Sequence, residues 1–151
     1  MKILLAIDGS FHSRYLVKEF ARRLFPAKTK VRIITAFEKS IYMRSLASMG
    51  VMTDFKELTD THSGKIAELA VKDAFTILHN KNPELQISTA AIEGSPKQVI
   101  LKEAEKMGAD LIIVGSHGHG VAARFLLGSV SQAIVLHAKC SVEIIRKKKF
   151  K

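Results

Sequence analysis

Glycine and serine concentrate in one stretch of the last third of the chain, in a pattern suited to holding an anion. The stretch runs Gly115-Ser-His-Gly118-His-Gly120 and resumes as Gly128-Ser129-Val130-Ser131. An apolar run precedes it and a helical pattern follows it. Glycine lets the backbone approach a ligand closely, and a helix N-terminus offers N–H groups with a partial positive charge. The stretch therefore predicts a phosphate-binding loop between a strand and a helix.

Two standard nucleotide motifs do not fit this stretch. A P-loop requires Gly-x4-Gly-Lys-Ser/Thr, but Val121 follows Gly120, and no lysine follows Gly128. The spacing Gly118-x-Gly120-x-x-Ala123 imitates the dinucleotide fingerprint, yet it occurs late in the chain and no clear helix opens within it. The P-loop motif is therefore absent, and the second mismatch argues against a nicotinamide or flavin cofactor.

The elements that must position the loop alternate between buried strands and amphipathic helices. Strands are predicted at 3–7, 31–37, 85–91, 110–115 and 141–145, and helices at 13–25, 65–80, 96–107 and after Gly128. We expect Leu24 to lie on the apolar stripe of the first helix, Pro26 to end that helix, and His137 to share the core face of the last one. We also expect Ser129 to cap the last helix, with Gln132 completing a capping box.

This order predicts an α/β fold, a doubly wound, Rossmann-like, five-stranded parallel sheet with helices on both faces. Residues 1–146 form one domain, and 147–151 form a basic tail. Residues 38–60 interrupt the alternation and are expected to form a mobile flap or short helix. That segment is interpreted either as a surface insertion or as a lid or dimer contact that uses its methionines.

Bulk composition narrows the class of protein. No apolar run is long enough to span a bilayer, and a single cysteine excludes an intrachain disulfide, so we expect a soluble cytoplasmic domain. The net charge is +10, and five of the basic residues lie at 146–151. A basic end is usually a solvated tail, and the alternative is a contact with nucleic acid, an anionic membrane or an acidic partner. The absence of Trp and the presence of only two Tyr weaken the nucleic-acid alternative.

Several residues at predicted strand ends converge on one edge of the sheet. Asp8, Ala36, Phe37 and Gly115 follow or end predicted strands. In open parallel sheets, ligands bind at the carboxyl ends of the strands, where the strand order reverses. Asp8 is therefore expected either to accept hydrogen bonds from a ribose or base, or to organise the turn at Gly9. Ser129 and Ser131 would offer hydroxyls to a phosphate.

The same residues resemble the universal stress protein family, in its nucleotide-binding branch. The resemblance rests on Gly115-x2-Gly118-x9-Gly128-Ser129, on Asp8 after the first strand, and on Ile3-Leu-Leu-Ala-Ile-Asp-Gly-Ser10, Gly94-Ser-Pro96 and His137-Ala-Lys-Cys140. It covers essentially the whole chain. One departure is Ser141, where the family usually has Pro after the cysteine, and this bears on the last strand.

The resemblance implies a domain that is commonly dimeric through its last strand, and an ATP site in members with the glycine motif. By position, Asp8 would meet the ribose or adenine, Ala36 would use its backbone against the base, and Gly115 would lie near the ribose. The phosphates, with Mg, would be held by Gly118, Gly128, Ser129, Val130 and Ser131, and His117 belongs to the same loop. A homodimer with bound ATP is thus expected.

Catalysis and metal binding have weaker support in the residues. ATP hydrolysis requires a positioned water and charge stabilisation, for which His117, His119, Arg124 and the two serines are the available side chains. We therefore expect a binding switch with at most slow hydrolysis and name no catalytic residue. The pairs His117-x-His119 and His137-x2-Cys140 have ligand-like spacing, but a helix separates them, which disfavours a zinc site.

Overall fold

The computed structural model describes residues 1–38, 54–116 and 127–146, and side chains within these ranges except at 54–62. The strands are β1 (Lys2–Ile7), β2 (Lys30–Phe37), β3 (Gln86–Glu93), β4 (Leu111–Gly115) and β5 (Ser141–Ile145). The helices are α1 (Phe11–Ala21), α2 (Asp54–Lys81), α3 (Pro96–Met107) and α4 (Ser129–His137). None of the helices within the described ranges combines the length and apolarity needed to cross a membrane.

The strands form one parallel sheet in the order β3-β2-β1-β4-β5. The inner strands β1 and β4 carry continuous apolar runs, because both of their faces are covered by helices. The third inner strand, β2, is apolar from Val31 onward except at Arg32, which pairs with Glu103 of α3, and at Thr35. The polar-alternating β3 lies at an edge, as its sequence predicts. The expected five-stranded doubly wound α/β fold is confirmed.

Two apolar cores lie on opposite faces of the sheet. On one face α1 and α2 cover Ile3, Leu5 and Ile33, with Phe20 of α1 fully buried. On the other face α3 and α4 cover Leu4, Ile34 and Ile112, with Ile134 of α4 fully buried. Successive residues of a strand point to opposite faces, so the apolar run of β1 supplies both cores. The central strands are thereby held on both sides, and their carboxyl ends are fixed in space.

The first helix ends earlier than its periodicity predicts. α1 stops at Ala21 rather than at Phe25, and Leu24, expected on the core stripe, is 99% exposed. The main-chain N–H groups of Arg22 and Arg23 still bond back to Glu19 and Phe20 in a tightened last turn. The spacing of Leu24 from Phe20 fits a helix, but the chain has already left the helical path.

The second and last helices also differ from expectation. α2 begins at Asp54 instead of Lys65, so the later part of the predicted 38–60 insertion is helical and residues 39–53 lie outside the described residues. α4 begins at Ser129 itself, and Gly128 takes the N-cap position without a side-chain cap. The predicted Ser129–Gln132 capping box is therefore wrong, and Gln132 instead donates its N–H to the Gly128 carbonyl. His137 is exposed and does not share the core face.

Candidate functional site

The strand order reverses between β1 and β4. From β1 the chain steps outward through β2 and β3, and then returns through α3 to place β4 and β5 on the other side of β1. Helices on opposite faces diverge at such a point and leave a crevice at the carboxyl ends of the strands. Ile7 pairs with Thr35, so the next residues in that register are Asp8 and Ala36. Ala36 itself pairs with Ile92 on β3 and is half-buried.

A closed polar turn joins β1 to α1. The Asp8 Oδ1 atom accepts from the Ser10 N–H at 3.0 Å and from the Ser13 hydroxyl, while the Ser13 hydroxyl accepts from the Asp8 N–H at 2.9 Å. Ser10 caps α1 by accepting from the Ser13 N–H at 3.2 Å. Gly9 has φ of 76°, and a Cβ there would lie 3.2 Å from the Cβ of Ala70, so two constraints favour glycine. The expected role of Asp8 in organising the turn is thus present.

A second joint ties β4, β5 and α4 together through Ser116. The Ser116 N–H donates to the Ile145 carbonyl at 3.1 Å, and its carbonyl accepts from the Gly128 N–H at 2.9 Å. The buried Ser131 hydroxyl donates to the Gly115 carbonyl at 2.6 Å. These bonds fix the start of α4 against the end of β4. Gly115, which lies 16 residues before Ser131 in the sequence, is therefore brought together with Gly128 and Ser131.

The first turn of α4 differs from that of α1. Ser129 is exposed, Val130 is half-buried and Ser131 is buried. The first N–H groups of any α-helix lack intrahelical acceptors, and they carry the positive end of the helix dipole. Gly128 has no side chain with which to cap them. His117 and Gly118, the remaining residues of the predicted site, lie outside the described residues, as do His119 and Arg124.

Sequence reasoning missed the structural roles of three serines. Ser10 and Ser13 close the turn around Asp8, and Ser116 holds the joint between β4 and α4. The Ser10-x-x-Ser13 spacing after a strand is a helix-start signal that could have placed the first turn at Phe11, whereas the periodicity alone predicted a start at Ser13. The role of Ser116 had no sequence signal, because its partners are main-chain atoms of remote residues.

A small cavity lies beside the β1–α1 turn, between α1 and α2. Its volume is about 110 Å³, and its walls are Gly9, Ser10, Ser13 and apolar residues of both helices. The ion pair of Arg14 and Asp73, at 3.1 Å, borders it. The cavity depends on how α1 and α2 pack, so no local sequence pattern indicates it.

The part of the chain that the structure describes holds no group of three or more His, Cys, Asp or Glu side chains suited to a metal ion. Cys140, a member of one ligand-like pair, is half-buried at the start of β5. Burial, and then the charge of Asp110, raise the pKa of its thiol. A raised pKa leaves the thiol protonated at neutral pH and makes it a poor nucleophile.

Comparison with known proteins assigns the chain to a family. The family model described as "Universal stress protein family" matches residues 1–146. A putative universal stress protein of Staphylococcus epidermidis is 33% identical over 149 residues, which cover 95% of this chain and 82% of that protein. A putative universal stress protein of Staphylococcus haemolyticus is 32% identical over 153 residues, covering 95% and 83%.

Solved structures share the fold at lower identity. The hypothetical protein MJ0577 aligns with a TM-score of 0.79 at 22% identity, covering 99% of this chain and 97% of its own. A universal stress protein in complex with cAMP aligns with a TM-score of 0.61 at 22% identity, covering 97% and 96%. An Arabidopsis thaliana family protein with AMP bound gives 0.59 at 19% identity, covering 98% and 92%.

Proposed function

Because this chain belongs to the universal stress protein family, we propose that it is a cytoplasmic ATP-binding protein that acts as a nucleotide-dependent stress or signalling switch. ATP would occupy the crevice at the carboxyl ends of β1, β2 and β4. The observation that carries this proposal is the N-terminus of α4, whose N-cap residue Gly128 makes no side-chain cap bond and which the Ser116 and Ser131 bonds hold at that crevice.

The phosphate end of the proposed site is the first turn of α4. Ser129, Val130 and Ser131 would donate their main-chain N–H groups to phosphate oxygens, as helix N-termini do for anions. The Ser129 hydroxyl is exposed and available for the same ligand. The Ser131 hydroxyl already donates its proton to the Gly115 carbonyl, so we assign that side chain to positioning the turn. Gly118 and His117 would close the loop over the phosphates.

The nucleoside end would lie between β1 and β2. Asp8 would accept from ribose hydroxyls through carboxylate lone pairs beyond those that the turn uses, because an ionised carboxylate has about four acceptor positions. The main chain of Ala36, next to Asp8 in the β1–β2 register, would meet the base, and Gly115 would lie near the ribose. In support, proteins of this fold have been solved with cAMP, AMP and dAMP. Adenine is the shared part of those ligands.

We propose binding rather than efficient catalysis. Of the described residues assigned to the site, Asp8 carries the acidic side chain and is engaged in the turn through Oδ1, while Ser129 and Ser131 carry hydroxyls. Phosphoryl transfer requires Mg²⁺ and groups that stabilise charge on the transferred phosphoryl. Mg²⁺ bound to the ATP phosphates would supply part of that charge stabilisation. Hydrolysis would be slow at most. Nucleotide state would then change the surface offered to partners.

We also propose that the chain is a homodimer joined through β5. β5 lies at an edge of the sheet, and an edge strand presents main-chain donors and acceptors to a further strand. Ser141 begins this strand, and because main-chain directions alternate along a strand, its N–H faces β4 and the outer edge is formed by later residues.

Isothermal titration of the purified full chain with ATP, AMP and GTP, each with and without Mg²⁺, tests nucleotide binding. We expect heat with ATP and a clear preference over GTP. Denaturing the protein and separating the supernatant by anion exchange will reveal any adenine nucleotide carried through purification. Absence of both heat and released nucleotide would contradict the proposal.

The competing function is an interaction module whose basic surface meets nucleic acid or an acidic partner. It predicts binding to random-sequence DNA that weakens steeply with salt, and loss of that binding when residues 146–151 are deleted. The chain without residues 146–151 should still bind ATP if our proposal holds. Loss of ATP binding in that variant would place the anion site in the tail instead of at α4.

A further inference from the structure

β5 carries a charged residue at its centre, although it is an edge strand. Within the described ranges β5 pairs on one side only, with β4. Val142 and Ile144 pack into the core under α3 and α4, and Ile145 packs on the opposite face. Glu143, the middle residue of the strand, lies on the α1 side and is half-buried. An inward-pointing charge on an edge strand usually opposes pairing with another strand.

The orientation of the β5 main chain sets which residues a second strand would meet. The Ile145 carbonyl accepts from Ser116, so the main-chain groups of Ile145 face the β4 side. The N–H and C=O of one strand residue point to the same side, and this side alternates along the strand. Glu143 therefore also faces β4, while Val142 and Ile144 present their N–H and C=O groups outward. A strand added to this edge would bond to Val142 and Ile144.

In a two-fold symmetric dimer, Glu143 of one copy would then lie opposite Glu143 of the other. When two five-residue strands pair antiparallel over their full length around a two-fold axis, the middle residue of each lies opposite itself. With its main-chain groups turned inward, Glu143 would occupy a non-hydrogen-bonded position, where opposed Cα atoms are only about 4.5 Å apart. Like charges directly opposite each other destabilise strand pairing.

Arg23 neutralises that charge. Its guanidinium donates two hydrogen bonds to Glu143, from Nη1 to Oε2 at 2.6 Å and from Nη2 to Oε1. These bonds lower the pKa of Glu143 and raise the pKa of Arg23. Arg23 also lies over the Phe20 ring, 5.9 Å from its centroid, which fixes the guanidinium from behind. The pair joins residues 120 positions apart in the sequence.

We infer that Arg23 permits β5 to pair with β5 of a second copy, by neutralising the two Glu143 carboxylates that meet at the two-fold axis. The inference rests on the homodimer proposed above and names the residue that controls it. Each copy brings both charges of the pair, so the patch is complementary to itself, as a two-fold interface requires. Leu24, next to Arg23, is 99% exposed, and on α4, which leads into β5, Val135 and Leu136 are 49% and 69% exposed. A second copy is the partner that such a patch fits.

Sedimentation equilibrium of the full chain and four variants tests the inference. Arg23→Ala should raise the dimer dissociation constant by about tenfold or more, because the two carboxylates then repel at close range. Arg23→Ala combined with Glu143→Gln should return it to within about threefold of the wild-type value, since no charge remains at the axis. Glu143→Gln alone should also leave the dimer intact. Val142→Pro removes an outward N–H without removing a bond to β4, and should abolish the dimer.

The variants separate this inference from the dimer proposal. A wild-type protein that stays monomeric would overturn both. A dimer that Val142→Pro disrupts and Arg23→Ala leaves unchanged would overturn the role of Arg23 alone. If Arg23 only braced β5 mechanically, the Arg23→Ala, Glu143→Gln double variant would remain as weak as Arg23→Ala, and that result would also overturn the inference. Circular dichroism melts of each variant ensure that only folded protein is compared.

Discussion

Two helices, α1 and α4, begin at the reversal point of the sheet, and they differ in the side-chain capping of their first N–H groups. At the start of α1, Ser10 caps the helix by accepting from the Ser13 N–H. Asp8, in the turn before the helix, accepts from the Ser10 N–H and from the Ser13 hydroxyl. α4 starts at Ser129, and its N-cap residue Gly128 has no side chain to cap it. Both ends are held rigidly, α1 by its turn and α4 by the bonds through Ser116 and Ser131.

Under the proposed function, one edge of the sheet combines a structural helix start with a ligand-binding one. At a capped N-terminus, a main-chain N–H of the first turn donates to the cap side chain, and this bond stabilises the helix. A helix start without a side-chain cap lacks that stabilisation, and its first main-chain N–H groups can bind an anion instead. Asp8 thus stabilises the turn on one side, and α4 supplies positive potential on the other.

The largest expected effect is on the α4 side, in the loop before that helix. Gly118→Val places a branched side chain where the family spacing requires close backbone approach, and should abolish measurable ATP binding. Gly120→Val makes the same change two residues later, outside the Gly115-x2-Gly118-x9-Gly128 spacing, and should retain binding. Titration calorimetry measures both variants. Equal ATP affinity in the two variants would break the assignment of the phosphate site to this loop.

The hydroxyl of Ser13 should matter more for stability than that of Ser131. Ser13→Ala removes two hydrogen bonds from a buried turn and leaves the Asp8 N–H without its acceptor, which should cost about 2 kcal/mol of unfolding free energy. Ser131→Ala removes one bond to a carbonyl and should cost about 1 kcal/mol. Urea denaturation gives both values. The reverse order would show that the Ser131 bond at the start of α4 contributes more to the free energy of unfolding than the Ser13 bonds in the α1 turn.

The smallest expected effects concern two caps that look alike in the sequence. Ser10→Ala removes a side-chain cap and should lower stability by about 1 kcal/mol. Ser95 occupies the N-cap position of α3 but makes no side-chain cap bond, and Pro96 follows it at the first helical position. Ser95→Ala should therefore change stability by only about 0.3 kcal/mol. A loss at Ser95 equal to that at Ser10 would remove the distinction between capped and uncapped starts.

The sheet was predictable because buried parallel strands have a clear signature. The apolar runs of β1 and β4 ended where the structure ends them to within a residue, and β5 matched at both ends. The order of strands and helices then limited the topology to a doubly wound sheet. The convergence of Asp8 and Gly115 at one edge followed from that topology.

Helix ends and long-range bonds were not predictable in the same way. Leu24 continues the helical spacing, but Arg23 leaves the helix and reaches Glu143, which no local pattern signals. The cap of α4 was placed one residue late, because serine is the more common cap and glycine tolerates the same geometry. The positions of His117 and Gly118 lie outside the described residues and stay predictions.

The most direct test of the central claim removes one N–H from the start of α4. Ser129 is the first helical residue, where proline is favoured, and Gly128 has φ of −59° and ψ of 150°, which a following proline accepts. Pro96 already occupies the same position in α3. Ser129→Pro removes both N–H and hydroxyl, whereas Ser129→Ala removes the hydroxyl alone. Calorimetry with Mg-ATP should show at least about tenfold weaker binding for Ser129→Pro than for Ser129→Ala. Equal affinities in two equally stable variants would contradict the assignment of the phosphate to this helix.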